Sequence, residues 1–291
     1  MANIITERPS WLKKRLVMNS APAGTSNILS EEAIHTVCAS AFCPNQNECL
    51  SNGQATFLLL GDLCTRTCAF CAVKKGMPQA AGGDESFAVT ETVKKLDLRY
   101  VVLTSVTRDD LEDGGAGQFV NVIRSIRQYS KGIKIEVLTP DFSGNREAVR
   151  RVSDAKPDVF GHNIETVERL YRTVRAGADY HRSLNLLRYV KKLNASGLTK
   201  SSIMVGLGES EEELLSAMKD IRRAGCDILT IGQYLRSRPD NLPVAKYIRP
   251  QEFDKFKEAA LEMGFKYCAS GPFVRSSYLA EEAYNSIKGA L

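Results

Sequence analysis

Short apolar and β-branched runs alternate along this chain with amphipathic segments of helical period. That alternation confines the fold to βαβ units with parallel strands. The strand-sized runs are Thr56–Leu60, Tyr100–Thr104, Ile133–Leu138, Val159–Gly161, Ser202–Val205 and Ile228–Ile231. Between them, Phe119, Ile123 and Ile126 recur on one helical face of Gln118–Gln128, and Leu184, Leu187 and Val190 on a face of Leu184–Leu193. Ser210 and Glu213 form a capping box that opens a helix running through Ile221. About six such units fit the chain, too few to close an eightfold barrel. The expected fold is therefore α/β, a partial (βα)6 TIM-type barrel that is open and has a wide inner face. Chemistry in such a barrel gathers at the C-terminal ends of the strands.

Six of the eight cysteines fall between positions 38 and 71, as two triplets of different pitch. Cys38, Cys43 and Cys49 are spaced C-x4-C-x5-C, and Cys64, Cys68 and Cys71 are spaced C-x3-C-x2-C. The second spacing lets one loop wrap three corners of a four-iron cluster and leave the fourth iron open, as catalytic metal sites keep a position open. A structural zinc site usually has two C-x-x-C pairs or one pair with two histidines. Here Cys68/Cys71 is a single pair, and His35, His162 and His181 form no metal-like pair. The remaining thiols, Cys226 and Cys268, read as small buried hydrophobes.

Composition removes other classes. The formal net charge is +5, and the one small basic run, Lys13-Lys14-Arg15, has no interleaved aromatics, so nothing points to nucleic acid. The longest apolar stretches are strand-sized, which argues against a membrane span. The first residues carry no secretory or transit pattern, so the expected location is the reducing cytoplasm, where disulfides are not expected. The second triplet follows the first strand, and the other strand ends are polar or glycine-rich. These are Thr104-Ser105 through Asp110, His162-Asn163-Ile164-Glu165-Thr166, Gly206-Leu207-Gly208-Glu209 and Gly232-Gln233-Tyr234.

On these residues the chain resembles the lipoyl synthases of the radical S-adenosylmethionine (SAM) superfamily. The loop Cys64–Cys71, with Phe70 before its last cysteine, resembles the superfamily signature. The Cys38–Cys49 triplet and Arg275-Ser276-Ser277-Tyr278 are similar to the two elements particular to lipoyl synthases. GDLCTRTCAFCAV, VVLTSVTRDDLEDGGA, HNIET and MVGLGESEEE extend the likeness over nearly the whole chain. A sulfur-inserting relative similar to biotin synthase would lack the pairing of C-x4-C-x5-C with R-S-S-Y. An iron–sulfur electron carrier would not need the open three-cysteine loop.

The resemblance implies sulfur insertion at C6 and C8 of an octanoyl group carried on a protein lysine. It implies two 4Fe-4S clusters, one on Cys64, Cys68 and Cys71 that binds and cleaves SAM, and an auxiliary one on Cys38, Cys43, Cys49 and Ser277 that donates sulfur. Phe70, Thr104, Ser105, Asn163, Glu165, Gly206 and Gly208 are the implied SAM contacts. The implied partners are octanoylated carriers (2-oxoacid dehydrogenase acyltransferase subunits and the glycine cleavage H protein), a ferredoxin or flavodoxin-type reductant, and an iron–sulfur carrier for cluster repair. Residues 1–52 would form an N-terminal extension with the auxiliary cysteines, 53–265 the barrel, and 266–291 a C-terminal extension with R-S-S-Y. The chain departs from the family pattern at Ala72, at Ala176 and across Arg236–Asn241, where aspartate, proline and a Q-P-(S/T) segment followed by histidine are expected.

Overall fold

A computed structural model of the chain describes residues 8–12, 34–37, 43–78 and 84–289. Two compact units divide it, one of Val17–Arg66 with Val73–Gly161, the other of Met1–Leu16, Thr67–Ala72 and His162–Leu291.

In the first unit, β1 (Gln54–Leu59), β4 (Tyr100–Ser105), β5 (Lys134–Leu138) and β6 (Val159–Gly161) run parallel, while β2 (Leu63–Cys64) and β3 (Lys74–Lys75) form a short separate pair. The register aligns the strand ends, with Leu59 beside Ser105, Thr104 beside Leu138, and Leu138 beside Gly161. Helices at Glu85–Lys95, Ala116–Tyr129 and Arg146–Asp154 make the crossovers. Asp84 and Asn145 cap two of them, accepting from the Phe87 and Ala148 N–H groups at 3.1 Å each. Phe119, Ile123 and Ile126, the face marked in the sequence, are fully buried. Each contributes about 1.5–3 kcal/mol of burial.

The second unit carries β7 (Leu198–Val205), β8 (Ile228–Gln233) and β9 (Tyr267–Gly271), again parallel, with Val205 beside Gln233 and Gly232 beside Gly271. Its core joins Leu184 and Leu187 of the Tyr180–Leu193 helix, Leu214 and Ile221 of Glu211–Arg223, and Phe253 and Phe256 of Pro250–Glu262. Cys226 and Cys268 belong to this core, and burial pushes both thiols up, Cys268 to about 12. The Ser210/Glu213 capping box is formed in full.

Among the described residues the main strands number four in the first unit and three in the second, each set lying in chain order with helices between, α/β throughout. The alternation of the sequence shows six of them. The seventh, Tyr267-Cys-Ala-Ser-Gly271, has no β-branched residue and so no strand signature. β7 begins at Leu198 rather than Ser202, because Thr199, Lys200 and Ser201 are polar yet buried. Among the described residues no helix is long and apolar enough to cross a membrane.

Candidate active site

The loop after β1 carries the second cysteine triplet, and its first half is fixed within the first unit. Cys64 and Leu63 pair with Lys75 and Lys74, and the Gly76 N–H donates to the Cys64 carbonyl at 3.0 Å, so the loop closes on itself. Thr65 ties it to the segment after β4. Its N–H and hydroxyl donate to the Thr107 carbonyl at 3.1 and 3.0 Å, and its hydroxyl accepts from the Asp109 N–H at 3.1 Å. The Thr107 N–H points at the Cys64 sulfur, at 3.4 Å. Arg66 turns inward, with hydrogen bonds to Asp109 at 2.7 and 2.8 Å and to Asp141 at 2.7 Å. Burial opposes the Arg66 charge, but the two carboxylates more than offset this and raise its pKa above the ordinary value. Burial raises Asp109 in turn, and the Arg66 and Ser143 hydrogen bonds outweigh it, holding that carboxyl below its ordinary range.

Cys68, Phe70 and Cys71, all half-buried, lie in the second unit. The Cys71 N–H donates to the Cys68 carbonyl at 3.2 Å, closing a turn. The Ala69 N–H donates to the Val174 carbonyl at 2.9 Å, and the Ala69 carbonyl accepts from the Leu242 N–H at 3.1 Å. The buried Asn241 amide donates to the Ala69 and Cys71 carbonyls at 3.1 Å each.

The strand-end residues divide in the same way. In the first unit, the Thr104 hydroxyl donates to the Leu138 carbonyl at 2.8 Å, while the buried Ser105 hydroxyl has no hydrogen-bond partner among the described residues. In the second, the Asn163 amide donates to Glu165 Oε1 at 2.9 Å. The Asn163 carbonyl accepts from Arg175 Nη1 at 2.7 Å, and the same nitrogen reaches the Tyr171 hydroxyl at 2.7 Å. Burial raises the pKa of Glu165, against the lowering pull of Arg175 and Asn163. Glu165 also has φ +69°, and the Thr166 N–H donates to the Ile164 carbonyl across it at 2.9 Å. That is a γ-turn with its central residue at positive φ, the rare and strained kind.

Gly206, at φ +94°, could not carry a side chain, since a Cβ there would stand 2.3 Å from both Gln233 Nε2 and the Lys246 carbonyl. At its neighbour in the motif, Gly208 at φ +108°, a Cβ would meet only the Ala245 Cβ, at an ordinary contact distance of 3.8 Å. Gln233 and the Lys246 carbonyl thus pack against the side of Gly206 where a Cβ would stand. Glu209 closes the turn, its carboxylate accepting from the Gly206 and Leu207 N–H groups at 2.5 and 2.9 Å.

Of the first triplet, Cys38 lies outside the described residues. Cys43 and Cys49 are half-buried in the first unit, Cys49 on the helix Gln46–Ser51. Ser277 is half-buried in the second unit, in a turn where the Tyr278 N–H donates to the Arg275 carbonyl at 3.0 Å. The Val274 carbonyl at the start of that turn would lie 2.1 Å from a Cβ on Gly232, so β8 keeps a glycine there.

The residues present fit an iron–sulfur cluster with a polar ligand. No disulfide ties up the described cysteines, a backbone N–H faces the Cys64 sulfur, and Ser105 holds a buried hydroxyl in reserve. Among the described residues no three or more His, Cys, Asp or Glu gather as around a single ion; a cluster's thiolates bind separate irons and need not do so. Sequence reading did not single out Arg66, Asp141 or Arg175, and it gave Asp109 and Asn241 no role beyond membership of a polar strand end and of a divergent segment. Arg66 stood in plain view between Cys64 and Cys68, but its partners are 43 and 75 residues away.

The description "Radical SAM superfamily" matches residues 58–221. The chain is 52% identical to the lipoyl synthase of Caldicellulosiruptor saccharolyticus, covering 95% of this chain and 97% of that one. It is 52% identical to the lipoyl synthase of Rubrobacter xylanophilus, covering 98% and 89%. Among solved structures it is similar to the FeFe-hydrogenase maturase HydG of Carboxydothermus hydrogenoformans, with TM-score 0.55 and 12% identity over 92% of this chain and 78% of that one. Streptococcus suis SuiB bound to its precursor peptide gives 0.57 at 12% identity over 85% of this chain, which spans only 52% of SuiB. At such identities these likenesses concern the fold alone.

Proposed function

Because the chain belongs to the lipoyl synthase family of the radical SAM superfamily, we propose that Cys64, Cys68 and Cys71 hold the SAM-binding 4Fe-4S cluster and leave one iron to SAM. The protein is an enzyme of radical SAM sulfur insertion that acts on an octanoylated protein to form the lipoyl cofactor. The observation that carries this is 52% identity over 95% of the chain. The C6 and C8 hydrogens of an octanoyl chain are not acidic, so no side-chain base or nucleophile can open those bonds. When bound, the reduced cluster and SAM supply a carbon radical strong enough to do so.

The chain's own residues bind, orient and exclude water. Arg66 and Thr65 fix the approach to the cysteine loop. Ser105 and Thr104 receive the methionyl end of SAM, and Asn163 and Glu165 its polar groups, with Arg175 holding Asn163 from behind. Phe70, Gly206 and Gly208 border the nucleoside.

Cys38, Cys43, Cys49 and the Ser277 oxygen would hold an auxiliary 4Fe-4S cluster, which would supply the sulfur. A hard oxygen ligand holds iron less firmly than thiolate, which suits a cluster that must open. The same reading gives residues 1–52 and 266–291 to the two extensions and 53–265 to the barrel, and places the enzyme in the cytoplasm. Its carriers are octanoylated acyltransferase subunits and the H protein, its reductant is of ferredoxin or flavodoxin type, and an iron–sulfur carrier rebuilds the auxiliary cluster.

The test is anaerobic reconstitution followed by incubation with SAM, reductant and an octanoylated carrier peptide. Two sulfur atoms gained by the peptide are expected. A peptide mass that stays unchanged while SAM is cleaved would overturn the reading.

A further inference from the structure

Arg236–Asn241 is one of the places where the chain departs from the family pattern, and its last residue is one that grips the cysteine loop. The Asn241 side chain is 3% exposed and spends both amide hydrogens on carbonyls of that loop, Ala69 and Cys71, at 3.1 Å each. Its own oxygen accepts from the Arg238 N–H at 3.1 Å, so the amide orientation is set by the surrounding turn. The next residue continues the grip, the Leu242 N–H donating to the Ala69 carbonyl at 3.1 Å.

This turn is in turn anchored to the end of β8. The buried Tyr234 hydroxyl donates to the Leu242 carbonyl at 2.7 Å, and the Ala245 N–H donates to the Gly206 carbonyl at 2.9 Å. The Ala69 and Cys71 carbonyls are therefore linked through short, mostly buried hydrogen bonds to the strand-end turn at Gly206. All of these residues lie in the second unit.

Resting on the function proposed above, we infer that Asn241 is a positioning residue for the SAM-binding cluster. Its two donors fix the Cys68–Cys71 turn so that Cys68, Cys71 and the Gly206 turn, all of the second unit, keep one mutual arrangement. A side chain used only for packing would not need two donors aimed at two carbonyls two residues apart. An aspartate of the same shape would turn an acceptor toward both carbonyls, lose both bonds and add repulsion, so Asn241→Asp separates hydrogen bonding from volume. Asn241→Ser retains one donor on a shorter arm and is the milder variant should Asn241→Asp fold poorly.

The first measurement uses the apo chain and does not depend on the cluster. Hydrogen exchange at the Ala69, Cys71 and Leu242 amides should quicken roughly tenfold in Asn241→Asp, with exchange in β7 and β8 unchanged. Equal exchange at the three amides in wild type and variant would overturn the latch.

The second uses reconstituted enzyme. Both variants should still bind iron, but the change that SAM causes in the electron paramagnetic resonance signal of the reduced cluster should need about tenfold more SAM in Asn241→Asp. Asn241→His, which offers one N–H donor, should recover part of that shift. An unchanged SAM response despite faster exchange would reduce Asn241 to a structural tie and refute its positioning role. A wild-type enzyme with no SAM response would count against the proposed function and leave the exchange result to decide the latch.

Discussion

Arg66 and Asp141 form an ion pair at 2.7 Å with both partners withdrawn from water, their side chains 6% and 0% exposed. Asp109 completes the arrangement from the segment after β4. A buried pair adds little net stability over a well-packed apolar substitute, whereas stripping one partner leaves a charge buried without compensation. Arg66 lies between Cys64 and Cys68, so the pair ties that part of the loop to the segment after β5.

Arg66→Met should accordingly cost about 3–5 kcal/mol and lower the melting temperature of the apo chain. Pairing it with Asp141→Asn should recover part of the loss, since the more deeply buried of the two uncompensated carboxylates is then gone. Urea denaturation of the two single variants and the double variant checks this. Purely additive losses would show that the two residues do not act as a pair.

The raised pKa of Glu165 has a definite sign. Burial favours the protonated form, so between the ordinary carboxylate value and the raised one the folded chain binds more protons than the unfolded chain. Stability from this group then falls as pH rises through that window. Glu165→Gln should raise the melting temperature relative to wild type at pH 8, with the gain vanishing near pH 4. If the carboxylate serves SAM, the same variant should bind SAM more weakly. A stability gain equal at both pH values would assign the effect to something other than the charge.

The two glycines after β7 should respond differently to alanine. Gly206→Ala adds a Cβ 2.3 Å from Gln233 Nε2 and the Lys246 carbonyl, on top of an unfavourable positive φ. It should cost several-fold more stability than Gly208→Ala, which has space and meets only the backbone penalty of roughly 1–2 kcal/mol. Similar losses in denaturation would show that the turn relaxes freely around Gly206.

How much of this was readable in advance depends on whether the signal is local. Six of the main strands, the helical faces at Phe119 and Leu184, the Ser210 capping box and the buried thiols Cys226 and Cys268 follow from period and composition. The spacing of Cys64, Cys68 and Cys71 was equally plain. What escaped is the long-range part. Nothing in the neighbourhood of Asn241 announces that it bonds to residue 69, and the burial of Lys200 and Ser201 hides half of β7 from any hydrophobic pattern. Ser277 lies at the other extreme, since a serine in a turn has no chemical signature and only the family resemblance gives it a role.

That role can be tested together with the sulfur source. If the cluster on Cys38, Cys43, Cys49 and Ser277 supplies the sulfur, enzyme reconstituted with heavy-isotope sulfide should pass the label to both C6 and C8 and stop after one round per chain. Fully reconstituted protein should then hold about eight irons, four for each cluster. Cys68→Ala should abolish SAM cleavage, whereas Cys43→Ala should still release 5′-deoxyadenosine without forming lipoyl product. Ser277→Cys replaces a weakly held oxygen with a firmer thiolate ligand, so it should assemble both clusters and cleave SAM yet give little or no lipoyl group. Unlabelled sulfur in the product would remove the donor role. Full lipoyl formation by Ser277→Cys would show that release of sulfur does not depend on an oxygen ligand.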